Sequence, residues 1–358
     1  MPTRFAMKAG SPCCRLPRPA VTVFVWLLLV LLLSSSIARC AETPALTITP
    51  SERWATVFAG KETVWHFTLA TEKTVEVRAA WRLTLDGRVA ARGETPLRLS
   101  SDKQGIFEVH YTLPDVKPGV VMPALLTVTA TSEQLDPPVV SVDKRLWIFP
   151  SNPFTDHLDW LTAQKIRLFD PDGKTAACLK DAQLPFTPVG NIDALAEPGH
   201  ELLIIGEGVS FDDYHALPEM IVRAAAAGHP VLCLAPAAGT LPLPGTAGTD
   251  FPAPARLNLR RNAVITELDK HLDADDWPAG NPILTSVNIQ AQHDQVTGEI
   301  AKGAAGWPWL EYSYPQNKGS LLICGFGIIT QWDAGPTPRF LLARLLEYVG
   351  AEVMTDKP

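Results

Sequence analysis

The chain has 358 residues, a formal net charge of −7 and six cysteines, and 46% of its residues are hydrophobic. An acidic chain without a run of Lys and Arg argues against nucleic acid or an anionic membrane surface as a partner. Domains commonly take about 100–200 residues, so the chain has room for two.

The first 40 residues predict a signal peptide or a membrane anchor. Four basic residues and no acid precede the apolar run VTVFVWLLLVLLL at residues 21–33, and small residues follow up to Ala38. This order is that of a secretory signal, and the run is short for a spanning helix, which needs about 20 apolar residues. We expect cleavage after Ala38 or Cys40, or retention of residues 21–38 as an anchor, and an extracytoplasmic (periplasmic or secreted) location.

Residues 41–150 predict an all-β domain. Apolar and polar residues alternate around Trp65, Trp81 and Phe107, and this period of two is typical of half-buried strands. Asp86-Gly87, between two such stretches, is a strong hairpin signal. About seven to nine short strands with frequent turns favour an immunoglobulin- or fibronectin-III-like β-sandwich.

Residues 151–159 predict a linker, residues 160–352 an α/β domain, and residues 353–358 a tail. Beyond the linker, short apolar strands at residues 165–169, 201–205 and 231–234 alternate with helical stretches at residues 175–184 and 213–227. Such alternation is typical of βαβ units and a parallel sheet. Residues 236–254 are rich in Pro, Gly, Ala and Thr and predict a loop.

The block ELLIIGEG at residues 201–208, followed by a helix and GHPVLCLAP, resembles the class I glutamine amidotransferase-like fold, which is a flavodoxin-like parallel sheet. TELDKHLDADDWPAG at residues 266–280 and the C-terminal strands and helix are similar to modules of bacterial secreted glycoside hydrolases in the β-galactosidase and family 2 neighbourhood. The resemblance covers roughly residues 160–350. It implies a multidomain chain in which a β-sandwich precedes a flavodoxin-like α/β domain.

In that family a nucleophilic cysteine lies on a sharp turn directly after the strand, in a G-x-C-x-G setting. Ala235 stands at this position here, Cys233 lies two residues earlier, and no His-x-Glu pair follows near the C-terminus. The resemblance therefore implies a module that is silent as an amidotransferase.

Candidate site residues lie where the predicted strands end. Ligands of open α/β sheets bind beyond the carboxyl ends of the strands. Candidate ligand-binding residues there are Asp170, Glu207, Trp332 and Asp333. Glu207 and Asp212 are also candidate catalytic acids, since paired carboxylates can act as general acid and base. Two structural alternatives stay open: the acids beside Ser210 also fit a helix cap, and Trp332 can cover a loop as well as a sugar ring.

The sequence predicts neither a metal nor a cofactor. Gly325-Phe326-Gly327 lacks the third glycine of a dinucleotide fingerprint, and the acids around His271 lack a second histidine. Three cysteines, Cys178, Cys233 and Cys324, lie in the predicted α/β domain, and their odd number argues against a disulfide framework.

Together these patterns predict an exported, non-catalytic binding or assembly protein that handles polysaccharide outside the cytoplasm. Its expected partners are carbohydrate or another envelope protein, with no nucleic acid, and the membrane only through an uncleaved N-terminal segment. Two alternatives remain: an extracytoplasmic glycoside or ester hydrolase that uses the acids near Glu207 and Asp212, and a structural envelope protein.

Overall fold

The computed structural model describes residues 46–197, 199–244, 250, 252–273, 287–292, 295–300, 306–314, 316 and 319–351. The predicted signal segment, the predicted tail and the cleavage-site Cys40 lie outside the described residues.

The first eight strands form two sheets. The strands are β1 (Leu46–Pro50), β2 (Thr56–Phe58), β3 (Glu62–Thr71), β4 (Val75–Leu85), β5 (Arg88–Leu99), β6 (Gly105–Thr112), β7 (Met122–Thr131) and β8 (Val139–Phe149). One sheet has the order β1-β3-β6 and the other has the order β2-β8-β7-β4-β5. All neighbours are antiparallel except β2, which runs parallel to β8.

The two sheets enclose one apolar core. In β4 the side chains of Val77, Ala79 and Leu83 are buried, whereas the intervening Arg78 and Arg82 are exposed. Because successive side chains of a strand point to opposite faces, this alternation leaves each sheet with one outer face of polar residues.

The second half of the chain is built on a mixed sheet of seven strands. They are β9 (Arg167–Phe169), β10 (Thr187–Pro188), β11 (Leu203–Ile205), β12 (Pro230–Leu234), β14 (Arg256–Arg260), β17 (Trp309–Tyr314) and β18 (Gly319–Cys324), in the order β10-β9-β11-β12-β18-β17-β14. The first five are parallel, and β17 and β14 are antiparallel to their neighbours. The strands β11, β12, β17 and β18 are buried along their whole length.

Helices cover both faces of this sheet. They are α1 (Leu158–Ala163), α2 (Lys174–Asp181), α3 (Leu217–Ala227), α4 (Ala263–Leu268) and α5 (Pro336–Ala351), with a short 3₁₀ helix at Ile192–Ala196. Buried residues of α1, α2, α4 and α5 share one apolar cluster with the sheet, and those of α3 belong to a second cluster. Gly228 ends α3 in the left-handed conformation at φ 112°, which glycine adopts without a steric penalty.

A third group of strands lies in a stretch where the sequence predicts no strand. The strands β13 (Gly239–Pro242), β15 (Val287–Gln292) and β16 (Gln295–Ile300) form a small sheet, with β13 parallel to β15. The stretch at residues 236–254 is therefore not a continuous loop. Residues 245–249 and 251 within it lie outside the described residues.

The predicted fold class is wrong. Of the described residues, 42% lie in strands and 19% in helices, and the sheets do not correspond to an immunoglobulin-like sandwich followed by a flavodoxin-like domain. A flavodoxin-like sheet is parallel and needs a crossover helix between neighbouring strands. After β12 the chain instead supplies strands joined in antiparallel pairs, and β2 departs from an antiparallel sandwich by its parallel pairing with β8.

The described residues, from 46 to 351, belong to one compact unit. Phe154, within the predicted linker, is fully buried, and the rings of Phe149 and Phe340 lie 4.5 Å apart between β8 and α5. No helix of the described residues is long and apolar enough to cross a membrane.

Candidate functional site at the carboxyl edge of the mixed sheet

The predicted site residues lie along one edge of the mixed sheet. Asp170 directly follows β9, Glu207 follows β11 after one glycine, and Ala235 directly follows β12. The cross-strand partners Phe169 and Ile205 place the ends of β9 and β11 side by side. The turn at residues 328–334, which contains Trp332 and Asp333, follows β18 at the same edge.

Glu207 is buried and its carboxylate is fully engaged. Its side chain is 5% exposed. Oε2 accepts a hydrogen bond from the Ile329 backbone N–H at 2.6 Å, and Oε1 accepts two from Thr330, from N–H at 2.7 Å and from Oγ1 at 2.6 Å. Burial raises the pKa of Glu207, and the three hydrogen bonds oppose that rise. The carboxylate therefore ties the turn after β18 to the end of β11.

The backbone of Glu207 is held as well. Its N–H donates to the hydroxyl Oγ1 of Thr175 at 2.9 Å, and Thr175 is fully buried in the first turn of α2. Asp170 reaches the same helix, because its Oδ2 accepts a hydrogen bond from the Ala176 N–H at 2.7 Å. Carboxylates near a helix N-terminus satisfy free N–H groups and interact favourably with the helix dipole. Both candidate acids are thus bound to their own chain.

A glycine allows Asp170 to sit close to β11. A Cβ atom on Gly206 would lie 2.6 Å from Asp170 Oδ1, a distance that any larger residue could reach only by displacing the carboxylate. Asp170 Oδ1 is buried and has no hydrogen-bond partner among the described residues.

Ala235 has the backbone of a sharp turn without a reactive side chain. Its φ is 28°, in the left-handed region that a residue with a Cβ seldom adopts. The turn is fixed on both sides, because the Ala235 N–H donates to the Cys324 carbonyl at 2.7 Å and the Ala235 carbonyl accepts from the Gly208 N–H at 3.0 Å. The methyl group is fully buried. Strained backbone often marks functional sites, but this turn carries no nucleophile.

The nearby thiols are not activated. Cys233 lies inside β12 and is fully buried, and burial raises the pKa of its thiol. Burial also raises the pKa of Cys324 to about 12 and that of half-buried Cys178 to about 11. Burial therefore disfavours the thiolate, which is the nucleophilic form, at all three positions.

Trp332 is part of the core. It is 4% exposed, and the guanidinium of Arg339 lies 5.1 Å from its ring centroid. Arg339 Nε also donates to the Trp332 carbonyl at 2.8 Å, and its Nη2 pairs with Asp333 Oδ1 at 2.5 Å. The ring of Trp332 is therefore covered and not available to stack on a sugar, while Asp333 is engaged by the same arginine.

Asp212 is exposed, whereas Glu207 is buried. Among the described residues, no hydrogen bond joins the two carboxylates. The Asp213 N–H donates to Ser210 Oγ at 3.2 Å, but α3 begins only at Leu217 with Ala216 as its N-cap, so Ser210 closes a turn before the helix and does not cap it. The structure thus brings Asp170, Glu207 and the turn containing Trp332 together, and it uses their polar groups to close the edge.

The described residues contain no group of three or more His, Cys, Asp or Glu placed to hold a metal. His271 pairs with Asp269 at 2.7 Å, and Asp273 accepts hydrogen bonds from the backbone of Ala55 and Thr56. Two acids considered with them, Asp275 and Asp276, lie outside the described residues.

The outer face of the five-stranded sheet is a second candidate surface, and the sequence reading missed it. Three grooves of about 840, 660 and 420 Å³ lie on it. The groove of about 660 Å³ is lined by Arg82 of β4, Arg92 and Glu94 of β5, and Thr127 and Thr129 of β7. No basic run in the sequence indicates this surface, because its arginines come from alternate positions of different strands.

A β-bulge decides that the two arginines share this face. Leu85 lies opposite Arg88, but the register shifts by one residue between Leu83 and Thr84, so that Arg82 lies opposite Arg92. Without the extra residue Arg82 would lie opposite Ala91, and Arg92 would point to the other face of the sheet. The Asp86-Gly87 hairpin signal alone does not reveal this shift.

Comparison with known proteins gives no family. No protein-family model matches the chain, and no curated protein matches it. Solved structures match parts of it at low similarity. Spo0M, a sporulation control protein from Bacillus subtilis, has a TM-score of 0.21 and 13% identity over 33% of this chain and 55% of its own. The Salmonella enterica SafA pilin in complex with the SafB chaperone has a TM-score of 0.23 and 10% identity, over 29% and 55%.

A third match is the complex of zinc 2-glycoprotein and prolactin-inducible protein from human seminal plasma, with a TM-score of 0.23 and 11% identity over 31% of this chain and 99% of that one. The chain spans about half the length of the first two of these structures. None of the three is an amidotransferase-like module, and at these TM-scores they carry no argument about fold or function.

Proposed function

We propose that this chain is an exported, non-catalytic binding or assembly protein that acts in polysaccharide handling outside the cytoplasm. The observation that carries the proposal is the closed carboxyl edge of the mixed sheet. Both oxygens of Glu207 accept hydrogen bonds from the chain's own turn, and Ala235 occupies the position at which the resemblance implied a nucleophile.

A hydrolytic role for the two candidate acids has little geometric support. Glycosidases place two carboxyl groups on either side of a substrate bond, with room for sugar and water between them. Glu207 is buried against the turn at residues 328–334, and Asp212 is exposed and not joined to it. A substrate would have to displace the turn and break three hydrogen bonds before it reached Glu207.

The polar outer face of the five-stranded sheet is the surface that we propose for partner binding. Its three grooves, of about 840, 660 and 420 Å³, are open to solvent along the sheet, which suits an extended partner lying on the surface. Carbohydrate is the partner that suits a face of hydroxyl, guanidinium and carboxylate groups, and another envelope protein is the alternative partner.

Two measurements on the full chain test this proposal together. The first follows turnover of chromogenic glycosides and esters by the wild type, Glu207→Gln and Asp212→Asn, and we expect no turnover by any of them. The second screens the wild type on a glycan array, where we expect binding to at least one polysaccharide class. Turnover that is lost in Glu207→Gln would make the chain a hydrolase, and an array without any bound glycan would remove the polysaccharide role.

A further inference from the structure

The outer face of the five-stranded sheet carries charged side chains of both signs. The strand registers place on this face the arginines Arg78, Arg82, Arg92, Arg98 and Arg145 and the acids Glu76, Glu94 and Asp143. Glu133 and Asp86 line two of its grooves, so the face as a whole has as many acids as arginines. The groove lined by Arg82, Arg92 and Glu94 has one more basic than acidic side chain, and it is the part of this face that suits an anionic group.

Arg82 and Arg92 are the centre of this charge. They lie directly opposite each other on β4 and β5, and neither makes an ion pair with any described residue. Like charges at directly opposed positions destabilise a sheet, so folding gains nothing from this pair. A guanidinium presents several N–H donors in a fixed fork that matches a carboxylate. Two adjacent forks without a partner are suited to bind one or two carboxylates.

The surroundings of the pair favour a sugar polymer over a protein. Thr127 lies opposite Arg82 on β7, and Thr129 lies opposite the neighbouring Ala80, so hydroxyl groups border the guanidinium groups. The cores of protein–protein interfaces are apolar and rich in aromatic side chains. The aromatic residue among those that line this groove, Trp81, alternates with Arg82, and its ring packs against the core beside Tyr111 and not in the groove.

We propose that the groove between Arg82 and Arg92 binds the carboxylate groups of an acidic polysaccharide built from uronate residues. Each guanidinium donates two hydrogen bonds to a uronate carboxylate, and the hydroxyls of Thr127 and Thr129 contact the sugar hydroxyls beside it. This inference rests on the proposed polysaccharide role and adds the class of sugar and the residues that select it.

The test measures binding of the full chain to three soluble probes by titration calorimetry. The probes are oligogalacturonate, a neutral galactan oligomer of the same length, and a poly-glutamate peptide of similar charge. The variant is Arg82→Gln with Arg92→Gln. The matched control is Lys180→Gln with Arg256→Gln, which removes the same charge from exposed positions of α2 and β14.

We expect oligogalacturonate to bind the wild type at least tenfold more tightly than either other probe. The Arg82/Arg92 variant should lose at least tenfold in affinity for it, and the control should stay within twofold. Raising the salt from 50 to 200 mM should weaken the wild type more than the variant, because screening acts on the guanidinium–carboxylate contacts. The Tm of the variant should be unchanged or higher, since the substitutions remove a like-charge pair.

Several results would overturn the inference. Equal binding of poly-glutamate would point to an acidic protein, and equal loss in the control would reduce the effect to net charge. Self-association in the absence of a probe, abolished in the variant, would make a second copy of the chain the occupant. Binding of neutral galactan that is unaffected by the variant would overturn this inference and leave the proposed function standing, whereas no binding to any glycan would remove both.

Discussion

Glu207→Ala tests whether the buried carboxylate has a structural role. The substitution removes the acceptor of three hydrogen bonds and leaves the Ile329 N–H, the Thr330 N–H and the Thr330 hydroxyl without it. Ile329 N–H is in a buried bond, so water has least access there. We expect the turn at residues 328–334 to lose its attachment to β11.

The expected size follows from these contacts. A hydrogen bond to a charged group contributes about 1.5–3 kcal/mol, and a buried donor left without a partner costs about 1–3 kcal/mol. Release of the buried carboxylate offsets part of this loss, because its burial is unfavourable enough to raise its pKa. The net destabilisation should be about 3 kcal/mol, which for a unit of this size lowers Tm by about 5 °C.

Urea denaturation followed by tryptophan fluorescence measures this change. Asp212→Ala is the matched control, since it removes an exposed acid close to Glu207 in sequence and should change the free energy of unfolding by less than about 0.5 kcal/mol. Thr330→Val removes only the hydroxyl bond and should cost about 1 kcal/mol. A loss below about 1 kcal/mol for Glu207→Ala, or an equal loss for Asp212→Ala, would refute a structural role for the carboxylate.

Three further predictions concern buried polar groups. Asp273→Ala should lower the free energy of unfolding, measured in urea, by about 3 kcal/mol, because Asp273 accepts hydrogen bonds from Ala55 and Thr56 at 2.8–3.2 Å. A change as small as that of Asp212→Ala would contradict this prediction. Burial raises the pKa of Asp273, so the folded state holds its proton more tightly than the unfolded state. Wild-type stability should therefore fall relative to Asp273→Asn as pH rises from about 4 through the raised pKa, and urea midpoints whose difference is constant with pH would exclude this linkage. His229→Ala should lower the free energy of unfolding by about 3 kcal/mol, because the buried ring fills space and its nitrogens lie 2.9 and 3.1 Å from backbone carbonyl oxygens. The loss should appear as a lower Tm, and an unchanged Tm would contradict a stabilising role for the ring.

Several elements could be predicted from the sequence because local chemistry fixes them. The alternation around Trp81 marks β4, Asp86-Gly87 marks the turn to β5, and Gly228 ends α3. The place of Glu207 at the end of a buried strand could also be predicted. Each of these signals lies within a few residues of the feature that it predicts.

The fold class and the use of the candidate residues could not be predicted in this way. The partners of Glu207 lie 122 and 123 residues further along the chain, so nothing near it in sequence shows that the carboxylate is engaged. The parallel pairing of β2 with β8, and the antiparallel addition of β17 and β14, likewise depend on which distant strands meet. The resemblance at residues 160–350 implied a strand arrangement that these pairings replace.

The sequence by itself determined where β4, the turn after it and the end of α3 lie, because alternation, glycine and burial preference act over short distances. Tertiary structure alone decided which strands pair, whether an acid is free or bound, and which arginines share a face. A one-residue shift at a β-bulge places Arg92 beside Arg82, and such a shift is set by packing across the whole sheet and not by any local pattern.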